Sequence, residues 1–293
     1  MLFQNSSFII NIKGCEKTMR FNQKKIALIN DITGFGRCSI AVSLPIISAL
    51  KVQCCFIPTA ILSNHTGFNN FFFEDYTPKM KEYINNWESL GLNLDGICTG
   101  FLGSKEQIKI VIEFLEKFKT ENNIVLIDPV MGDHGKLYST YTDEMCKEMQ
   151  NLIKYADVLT PNLTEVCRLL DLSYPSDTPT HEELYLLCER LSLQGPSKIV
   201  ITGLQRQGEI ENFIFESNKP YKVIKVEKIG EERPGTGDVF SSIVSASVVK
   251  GEDFVASVRK ATDFISKSLK FTSDLNLPGI YGVCFEEFLT ELK

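Results

Sequence analysis

The 293-residue sequence lacks the features that mark several classes of protein. No apolar run approaches the roughly 18 residues that span a bilayer, because Lys, Asn or Gly interrupts the apolar segments every few positions. Basic residues are not in excess, since 31 Lys and Arg stand against 37 Asp and Glu and give a net charge of −6. We therefore expect no membrane span and no nucleic-acid partner.

Cysteine is not rare, but its nine copies lack the CxxC spacing that is typical of metal and redox sites. This pattern predicts reduced, mostly buried thiols. The first 25 residues also lack the charged n-region and long apolar h-region of a signal peptide. We expect a cytoplasmic protein whose translation starts at Met1 or Met19.

What the sequence does contain is the composition of a globular chain, with 43% hydrophobic and 23% charged residues. The length alone allows one or two domains. Because no Pro- or Ser-rich linker, repeat or low-complexity stretch divides the chain, we expect an N-terminal extension at residues 1–25 and a single domain at residues 26–293.

Short apolar runs alternate with helical patterns along the chain, which predicts an α/β fold with a mostly parallel central sheet and helices on both faces. The first strand, at residues 26–29, is followed by a predicted loop at residues 30–36. Later strands are predicted at residues 52–57, 96–99, 124–127, 158–159 and 198–201, and helices at 38–50, 104–119, 162–170, 236–249 and 253–269. Residues 210–215 and 221–226 predict an antiparallel hairpin near the C-terminal third.

The segment RPGTGD, residues 233–238, lies between a strand and a strongly apolar helix. Glycines at a helix start leave the first backbone N–H groups free for a ligand, and the helix dipole adds partial positive charge, so the segment predicts an anion site. Asp238 either caps the helix or accepts the proton of an attacking hydroxyl. The segment alone leaves both roles open.

Two further segments follow predicted parallel strands, at the edge of the sheet where α/β proteins bind ligands. DPVMGD covers residues 128–133, and TPNLTE covers residues 160–165. Asp128, Asp133 and Glu165 offer the hard oxygen ligands that Mg²⁺ prefers. A turn Asp and an N-cap Asn are the structural alternatives for these segments.

These motifs, in this order, resemble those of the ribokinase-like small-molecule kinases, and within them the pyridoxal kinases. The more specific match is SNHTG at residues 63–67, which is typical of vitamin B6 kinases. Residues 99–101 and 200–202 also follow the family order, and the resemblance spans roughly residues 26–271. It implies the ribokinase-like fold.

The resemblance implies ATP-dependent phosphorylation of the 5′-hydroxyl of pyridoxal, pyridoxine or pyridoxamine, with Mg²⁺ and in some relatives a monovalent cation. Asp238 would be the base, while Gly235 and Gly237 would present N–H groups to the transferred phosphate. Asp128 and Glu165 would order Mg²⁺, directly or through water. The implied ATP-binding residues are Asp128, Asp133, Thr160, Asn162, Glu165, Thr202 and Thr236.

For the vitamin, the resemblance implies contacts from Thr66 and Gly67, and from Phe101, where relatives often have Tyr. Asp31 stands where many relatives have Ser, and its carboxylate could pair with the pyridine nitrogen or the 3-hydroxyl. Cys38 is a candidate for capturing the aldehyde of pyridoxal.

Other assignments stay open at this point. Lys136 is a candidate cation for the phosphates, and Phe71, Phe72 and Phe73 are candidates for packing between the subunits of a homodimer. A hydroxymethylpyrimidine kinase of thiamin synthesis is the second candidate function. A non-catalytic protein that binds vitamin B6 or a nucleotide is the third.

Overall fold

The structure, a computed structural model, describes residues 23–292. The predicted extension at residues 1–25 lies almost wholly outside the described residues, as do Met1 and Met19. None of the described helices is long and apolar enough to cross a membrane.

Within the described residues the chain forms eleven strands and eight α-helices. The strands are β1 (Lys25–Thr33), β2 (Gln53–Leu62), β3 (Phe73–Asp75), β4 (Gly96–Thr99), β5 (Ile124–Ile127), β6 (Gly132–Asp133), β7 (Lys136–Leu137), β8 (Val158–Leu159), β9 (Lys198–Arg206), β10 (Glu209–Glu216) and β11 (Lys222–Glu227). The helices are α1 (Ile40–Ala49), α2 (Thr77–Ser89), α3 (Lys105–Phe118), α4 (Asp143–Leu152), α5 (Leu163–Leu169), α6 (His181–Ser192), α7 (Thr236–Val249) and α8 (Phe254–Asp274).

A nine-stranded sheet forms the centre, in the order β11-β10-β9-β8-β5-β4-β1-β2-β3. Six neighbouring strands, from β9 to β2 in this order, are parallel, while β3 at one edge and β10 and β11 at the other pair antiparallel. The predicted fold class and the antiparallel hairpin are therefore confirmed. The hairpin is part of a three-stranded antiparallel unit, because β10 also pairs with β9.

Successive residues of the parallel strands point to opposite faces of the sheet, which gives the fold two cores. Ala27 and Ile29 pack into the core beneath α2 to α6, whereas Ile26 and Leu28 pack into the core beneath α1, α7 and α8. Helices thus cover both faces, and all the strand ends that carry polar residues meet at one edge of the sheet.

Several predictions about element bounds were wrong, because β1, β2, β9 and α8 all extend beyond their predicted ends. The loop predicted at residues 30–36 begins later, because β1 continues to Thr33 by pairing with β2 across a register shift between Asn30 and Ile32. Helix α8 extends to Asp274, five residues beyond its predicted end at 269. Helices α2, α4 and α6 were not predicted, and in α2 the core contact is small, since only Met80 and Ile84 are buried.

Helix α6 is tied to the antiparallel strands through one buried carboxylate. The side chain of Glu211 is 0% exposed and accepts hydrogen bonds from His181 Nε2 at 2.8 Å and Arg206 Nε at 3.3 Å. Lys225 Nζ lies 2.6 Å from its other oxygen. Burial alone would raise the pKa of Glu211, but the bonds from His181 and Lys225 outweigh it and lower the pKa to about 2.

We expect Glu211→Gln to lower the free energy of unfolding by about 1–3 kcal/mol at pH 7, because Arg206 and Lys225 lose their charged partner. Since the folded pKa of Glu211 lies below its ordinary value, its stabilisation is present above that value and is lost as pH falls toward about 2. Urea unfolding at several pH values measures both effects. Glu209→Gln, on the same strand but 47% exposed, is the matched control and should change stability little. An equal loss in both variants would contradict this role of Glu211.

Candidate active site

A single cavity of about 1430 Å³ opens at the carboxyl ends of the parallel strands. Apart from Lys136, the residues that the sequence nominated for catalysis, ATP, metal and substrate line it, although they come from widely separated segments. They are Asp31, Thr66, Gly67, Phe101, Asp128, Asp133, Thr160, Asn162, Glu165, Thr202, Gly235, Thr236, Gly237 and Asp238. The cavity is large enough to hold two small molecules side by side.

Asp238 lies in the first turn of α7, and two hydrogen bonds from distant segments orient its carboxylate. Asn30 Nδ2 donates to Oδ1 at 3.1 Å, and the backbone N–H of Ser39 donates to Oδ2 at 2.8 Å. Burial raises the pKa of Asp238 to about 6, against the lowering effect of the Ser39 bond. The group is therefore ionised at neutral pH and basic enough to accept a proton.

Asn30 was not nominated from the sequence as a site residue, yet it holds Asp238 in place. Its own orientation is determined, because Oδ1 accepts the N–H groups of Asp31 at 3.0 Å and Phe101 at 2.9 Å, which leaves Nδ2 to donate to Asp238. A buried Asn at the carboxyl end of a parallel strand is a signal that the sequence carried.

The start of α7 requires glycine at position 235. Gly235 is the N-cap residue with φ +83°, and a Cβ added there would lie 2.0 Å from the carbonyl oxygen of Arg37. No side chain caps the helix, so its first N–H groups face the cavity. At Gly237 an added Cβ would meet nothing closer than Asp128 Oδ2 at 4.0 Å, which leaves open space between the helix start and that carboxylate.

Asp128 is 8% exposed, and burial followed by the nearby charge of Asp238 raises its pKa to about 8. Glu165, 4% exposed, has its pKa raised well above the ordinary value, first by burial and then by the charge of Asp128. Thr160 adds a buried hydroxyl without a hydrogen-bond partner among the described residues. Clustered oxygens with unfavourable negative charge fit a divalent cation, which would displace the proton from Asp128.

Glu165 also has a structural role that the sequence left open. Its carboxylate accepts the N–H groups of Asn162 at 2.8 Å and Met131 at 3.1 Å, and Asn162 Oδ1 accepts the N–H of Glu165 at 2.9 Å, which forms a capping box at the start of α5. With both oxygens engaged, Glu165 fits contact with a metal through water better than direct ligation.

The hairpin β6–β7, which we call the flap (residues 132–137), borders the phosphate end of the cavity. Asn162 Nδ2 holds it through the carbonyl of Gly132 at 2.8 Å, and Thr164 holds it through the N–H of Gly135 at 2.9 Å. Asp133 accepts the N–H of His134 within the flap turn, so it has the turn role that the sequence allowed, while also lining the cavity. Lys136 is exposed and does not line the cavity, so nothing in the geometry supports it as a phosphate cation.

Beyond Thr202, the cavity continues into an apolar region that the sequence analysis missed. Side chains from β11 and α8 form much of it, among them Val226, Ile265 and Leu269. Asn212 introduces a buried amide, which accepts the N–H of Gly203 at 3.3 Å and donates to Thr262 at 2.8 Å. A flat heteroaromatic group fits such a surface.

At the opposite end, Asp31, Thr66, Gly67 and Phe101 surround the space in front of Asp238. Asp31 is 5% exposed and accepts the hydroxyl of Thr33 at 2.6 Å, and burial raises its pKa. Burial, then the charges of Asp238 and Asp31, raises the pKa of Cys38 to about 12. The thiol therefore stays protonated at neutral pH, which disfavours the aldehyde capture considered for it.

The sequence profile of the phosphomethylpyrimidine kinase family matches residues 40–282. A Bacteroides thetaiotaomicron protein, provisionally named a phosphomethylpyrimidine kinase, is 37% identical, and its rhombohedral crystal form covers 94% of this chain and 96% of that chain with a TM-score of 0.91. Its orthorhombic form, which contains pyridoxal, has a TM-score of 0.89 and covers 92% of this chain and 96% of that one.

The curated relatives include both phosphomethylpyrimidine kinases and pyridoxal kinases. A hydroxymethylpyrimidine/phosphomethylpyrimidine kinase of Aquifex aeolicus is 27% identical over 185 residues, which cover 62% of this chain and 69% of the relative. A pyridoxal kinase of Arabidopsis thaliana is 29% identical over 203 residues, which cover 62% of this chain and 60% of the relative.

We expect Asp128→Asn to stabilise the metal-free protein at pH 8 by about 2 kcal/mol, because on folding the parent chain must either take up a proton at Asp128 or bury its charge next to Asp238, and Asn requires neither. The folded chain keeps the Asp128 proton up to about pH 8, whereas the ordinary value is 3.8, so this residue's contribution to stability falls as pH rises through that window. In urea unfolding without Mg²⁺, the difference in free energy of unfolding between Asp128→Asn and the parent protein should become smaller as pH is lowered to 5. Asp263→Asn, an exposed carboxylate on α8, is the control. If this difference did not change with pH, the pKa of Asp128 would not be raised in the folded protein.

Proposed function

This chain belongs to the phosphomethylpyrimidine kinase family, and we propose that it transfers the γ-phosphate of ATP to the 5′-hydroxyl of pyridoxal, with pyridoxine and pyridoxamine as related acceptors. One observation carries the proposal. The carboxylate of Asp238 is oriented by Asn30 and Ser39 toward the same cavity that Thr66 and Gly67 line, beside a helix start whose N–H groups are free.

Asp238 acts as the general base in this reaction. Its pKa of about 6 leaves it ionised at pH 7, and it makes the carboxylate more basic than an ordinary Asp. It can therefore take the proton of the acceptor hydroxyl as the oxygen attacks phosphorus. Asn30 Nδ2 and the N–H of Ser39 hold the carboxylate before and after it accepts the proton.

The phosphate is held mainly by the start of α7. The N–H groups of residues 235–237 stabilise charge on the transferred phosphoryl group, and Gly235 allows the turn that exposes them. Asp128 would hold Mg²⁺ directly, and Glu165 would orient a water of the ion. Mg²⁺, when bound, supplies neutralisation of the phosphate charge.

The nucleotide would occupy the half of the cavity that contains Thr160, Asn162, Thr202 and Thr236, with its base on the apolar region formed by β11 and α8. Asp133 would border the phosphates from the flap. In this arrangement the acceptor hydroxyl and the leaving oxygen of ADP would lie on opposite sides of the γ-phosphorus, as in-line transfer requires.

Pyridoxal is preferred as the acceptor for two reasons. The Bacteroides protein that contains pyridoxal is 37% identical to this chain over nearly its whole length. Residues 63–67 carry the segment typical of vitamin B6 kinases, and Phe101 can stack on a pyridine ring. Asp31, whose pKa is raised by burial, would share a proton with the ring nitrogen or the 3-hydroxyl.

A hydroxymethylpyrimidine kinase is the second candidate, favoured by the family profile and by the Aquifex aeolicus relative. Both acceptors present a hydroxymethyl group on a six-membered heteroaromatic ring, so Asp238 would serve either. A non-catalytic binding protein is the third, and the ordered carboxylate of Asp238 disfavours it because a binder needs no base.

Initial rates with MgATP on pyridoxal, pyridoxine, pyridoxamine and hydroxymethylpyrimidine test the proposal. We expect the highest kcat/KM with a vitamin B6 acceptor. A preference for the pyrimidine would overturn it in favour of the second candidate. Binding of an acceptor without turnover of any of the four would favour the third.

Asp238→Asn should reduce kcat by about 10²–10⁴-fold while leaving the affinity for ATP and acceptor within about threefold, because Asn keeps the shape but cannot take a proton. Steady-state kinetics measure kcat and calorimetry measures the two affinities, with Asp263→Asn as the surface control. Turnover near the parent rate would exclude the general-base role.

The pH profile gives an independent check on the same group. Because protonated Asp238 cannot act as base, kcat/KM of the parent should fall about tenfold per pH unit below about 6. Asn30→Asp puts a second carboxylate within reach of Asp238, which should raise its pKa and move this limb to higher pH. An unchanged limb in the variant would mean that another group controls the profile.

A monovalent-cation requirement, a homodimer and a cytoplasmic location stay predictions from the sequence. For the homodimer, Phe71, Phe72 and Phe73 are 41%, 60% and 41% exposed at the β3 edge of the sheet, which supports a contact there.

A further inference from the structure

The chain returns across the acceptor end of the cavity after α8. We call residues 277–282 the roof. Gly279 and Ile280 of the roof line the cavity, and Ile280 Cγ1 would lie 3.9 Å from a Cβ added at Gly67. The roof thus borders the space that Thr66 and Gly67 enclose from the other side.

Arg233 binds the roof through three main-chain carbonyls. Nη2 donates to Leu277 O at 3.0 Å, and Nη1 donates to Pro278 O at 3.2 Å and Gly282 O at 3.3 Å. Both terminal nitrogens of the guanidinium are therefore engaged. The planar, five-donor geometry of Arg allows one side chain to collect several carbonyls of a tight turn.

His65 and Arg37 take the carbonyls that Arg233 does not reach. His65 Nε2 lies 2.7 Å from Ile280 O, and Arg37 Nη1 donates to Tyr281 O at 3.4 Å. The N–H of Gly67 donates to His65 Nδ1 at 3.1 Å, so Nε2 must carry the proton that is donated to Ile280 O. His65 therefore links the substrate segment to the roof and has no ring nitrogen left for a substrate.

The roof also packs against residues 36 and 37 without spare space. A Cβ added at Gly282, with φ +80°, would lie 2.5 Å from Gly36 O and 3.0 Å from Arg37 O. The same Arg37 carbonyl faces Gly235 on its other side, at 2.0 Å from an added Cβ. Arg37 O therefore lies close to both the roof and the turn at Gly235.

We propose that the roof holds the acceptor ring in the cavity, and that Arg233 is a positioning residue that holds the roof in place rather than a cation that binds the phosphates. The proposal rests on the proposed function, a kinase with a small heteroaromatic acceptor. The alternative is that Arg233, two residues before Gly235, binds the phosphates. In that case its loss would raise KM for MgATP and leave KM for the acceptor unchanged.

Arg233→Ala should raise KM for the acceptor by about tenfold or more and leave KM for MgATP within about twofold, because the roof loosens over the acceptor while the nucleotide half is untouched. The acceptor used is whichever of pyridoxal and hydroxymethylpyrimidine turns over better. Arg259→Ala, on exposed α8 surface, is the matched control and should change neither value. An equal or larger rise in KM for MgATP would overturn the proposal, as would no change in either KM.

Hydrogen exchange gives a readout that does not depend on turnover, so it separates this proposal from the proposed function. The N–H groups of Tyr281, Gly282 and Cys284 are hydrogen-bonded in the parent protein and should exchange slowly. In Arg233→Ala, exchange over residues 279–284 should accelerate at least about tenfold, with the peptides of β4 and β5 unchanged. Arg233→Lys, which keeps the charge but not the fork, should give an intermediate acceleration and guards against a folding defect. Unaltered exchange in both variants would mean that Arg233 does not hold the roof.

Discussion

Negative charge held out of bulk water is the constraint on which the rest of the site depends. Asp128 and Asp238 face the same opening at the start of α7. Burial raises the pKa of both carboxyl groups, and the charge of Asp238 raises the pKa of Asp128 further. Uncharged donors stabilise this negative charge. The Asn30 amide and the N–H of Ser39 bind the carboxylate of Asp238, and the free N–H groups at the start of α7 are available to an anion. A site of this kind is ready for a cation and a phosphate together.

The donors come from different parts of the chain because parallel strands bring their carboxyl ends to one edge. Asn30 lies in β1, Asp128 follows β5 and Asn162 follows β8, while α7 packs on the face of the sheet that α1 and α8 also cover. At this edge one side chain both caps a helix and faces the cavity. Glu165 completes the capping box of α5 with the same carboxylate that faces Asp128, so its structural and chemical roles cannot be separated by removing the side chain.

Much of the fold and of the site could be predicted from the sequence, and the exceptions have physical causes. The strand-helix alternation predicted the sheet because buried parallel strands are continuous apolar runs. It missed the continuation of β1 through Asn30 and Asp31, since polar residues in a strand are stabilised only by pairing with β2 and by the cavity they face. Helix α6 was missed despite the capping box of Thr180 and Glu183, which the sequence carries. Asn30 was overlooked as a site residue because its partner, Asp238, is 208 residues away.

By itself, the sequence determined the fold class, the residue types at the strand ends and the glycine-led start of α7, because these depend on local pattern and on chemistry that each segment carries alone. The tertiary structure decided which groups meet. It joined Asn30 to Asp238, and it buried Cys38 near the charges of Asp238 and Asp31, which keeps the thiol protonated. It also returned residues 277–282 over the end of the cavity that Thr66 and Gly67 line, where Arg233, His65 and Arg37 bind main-chain carbonyls. A carbonyl is present at every residue, so no sequence pattern marks the ones that a distant side chain will bind.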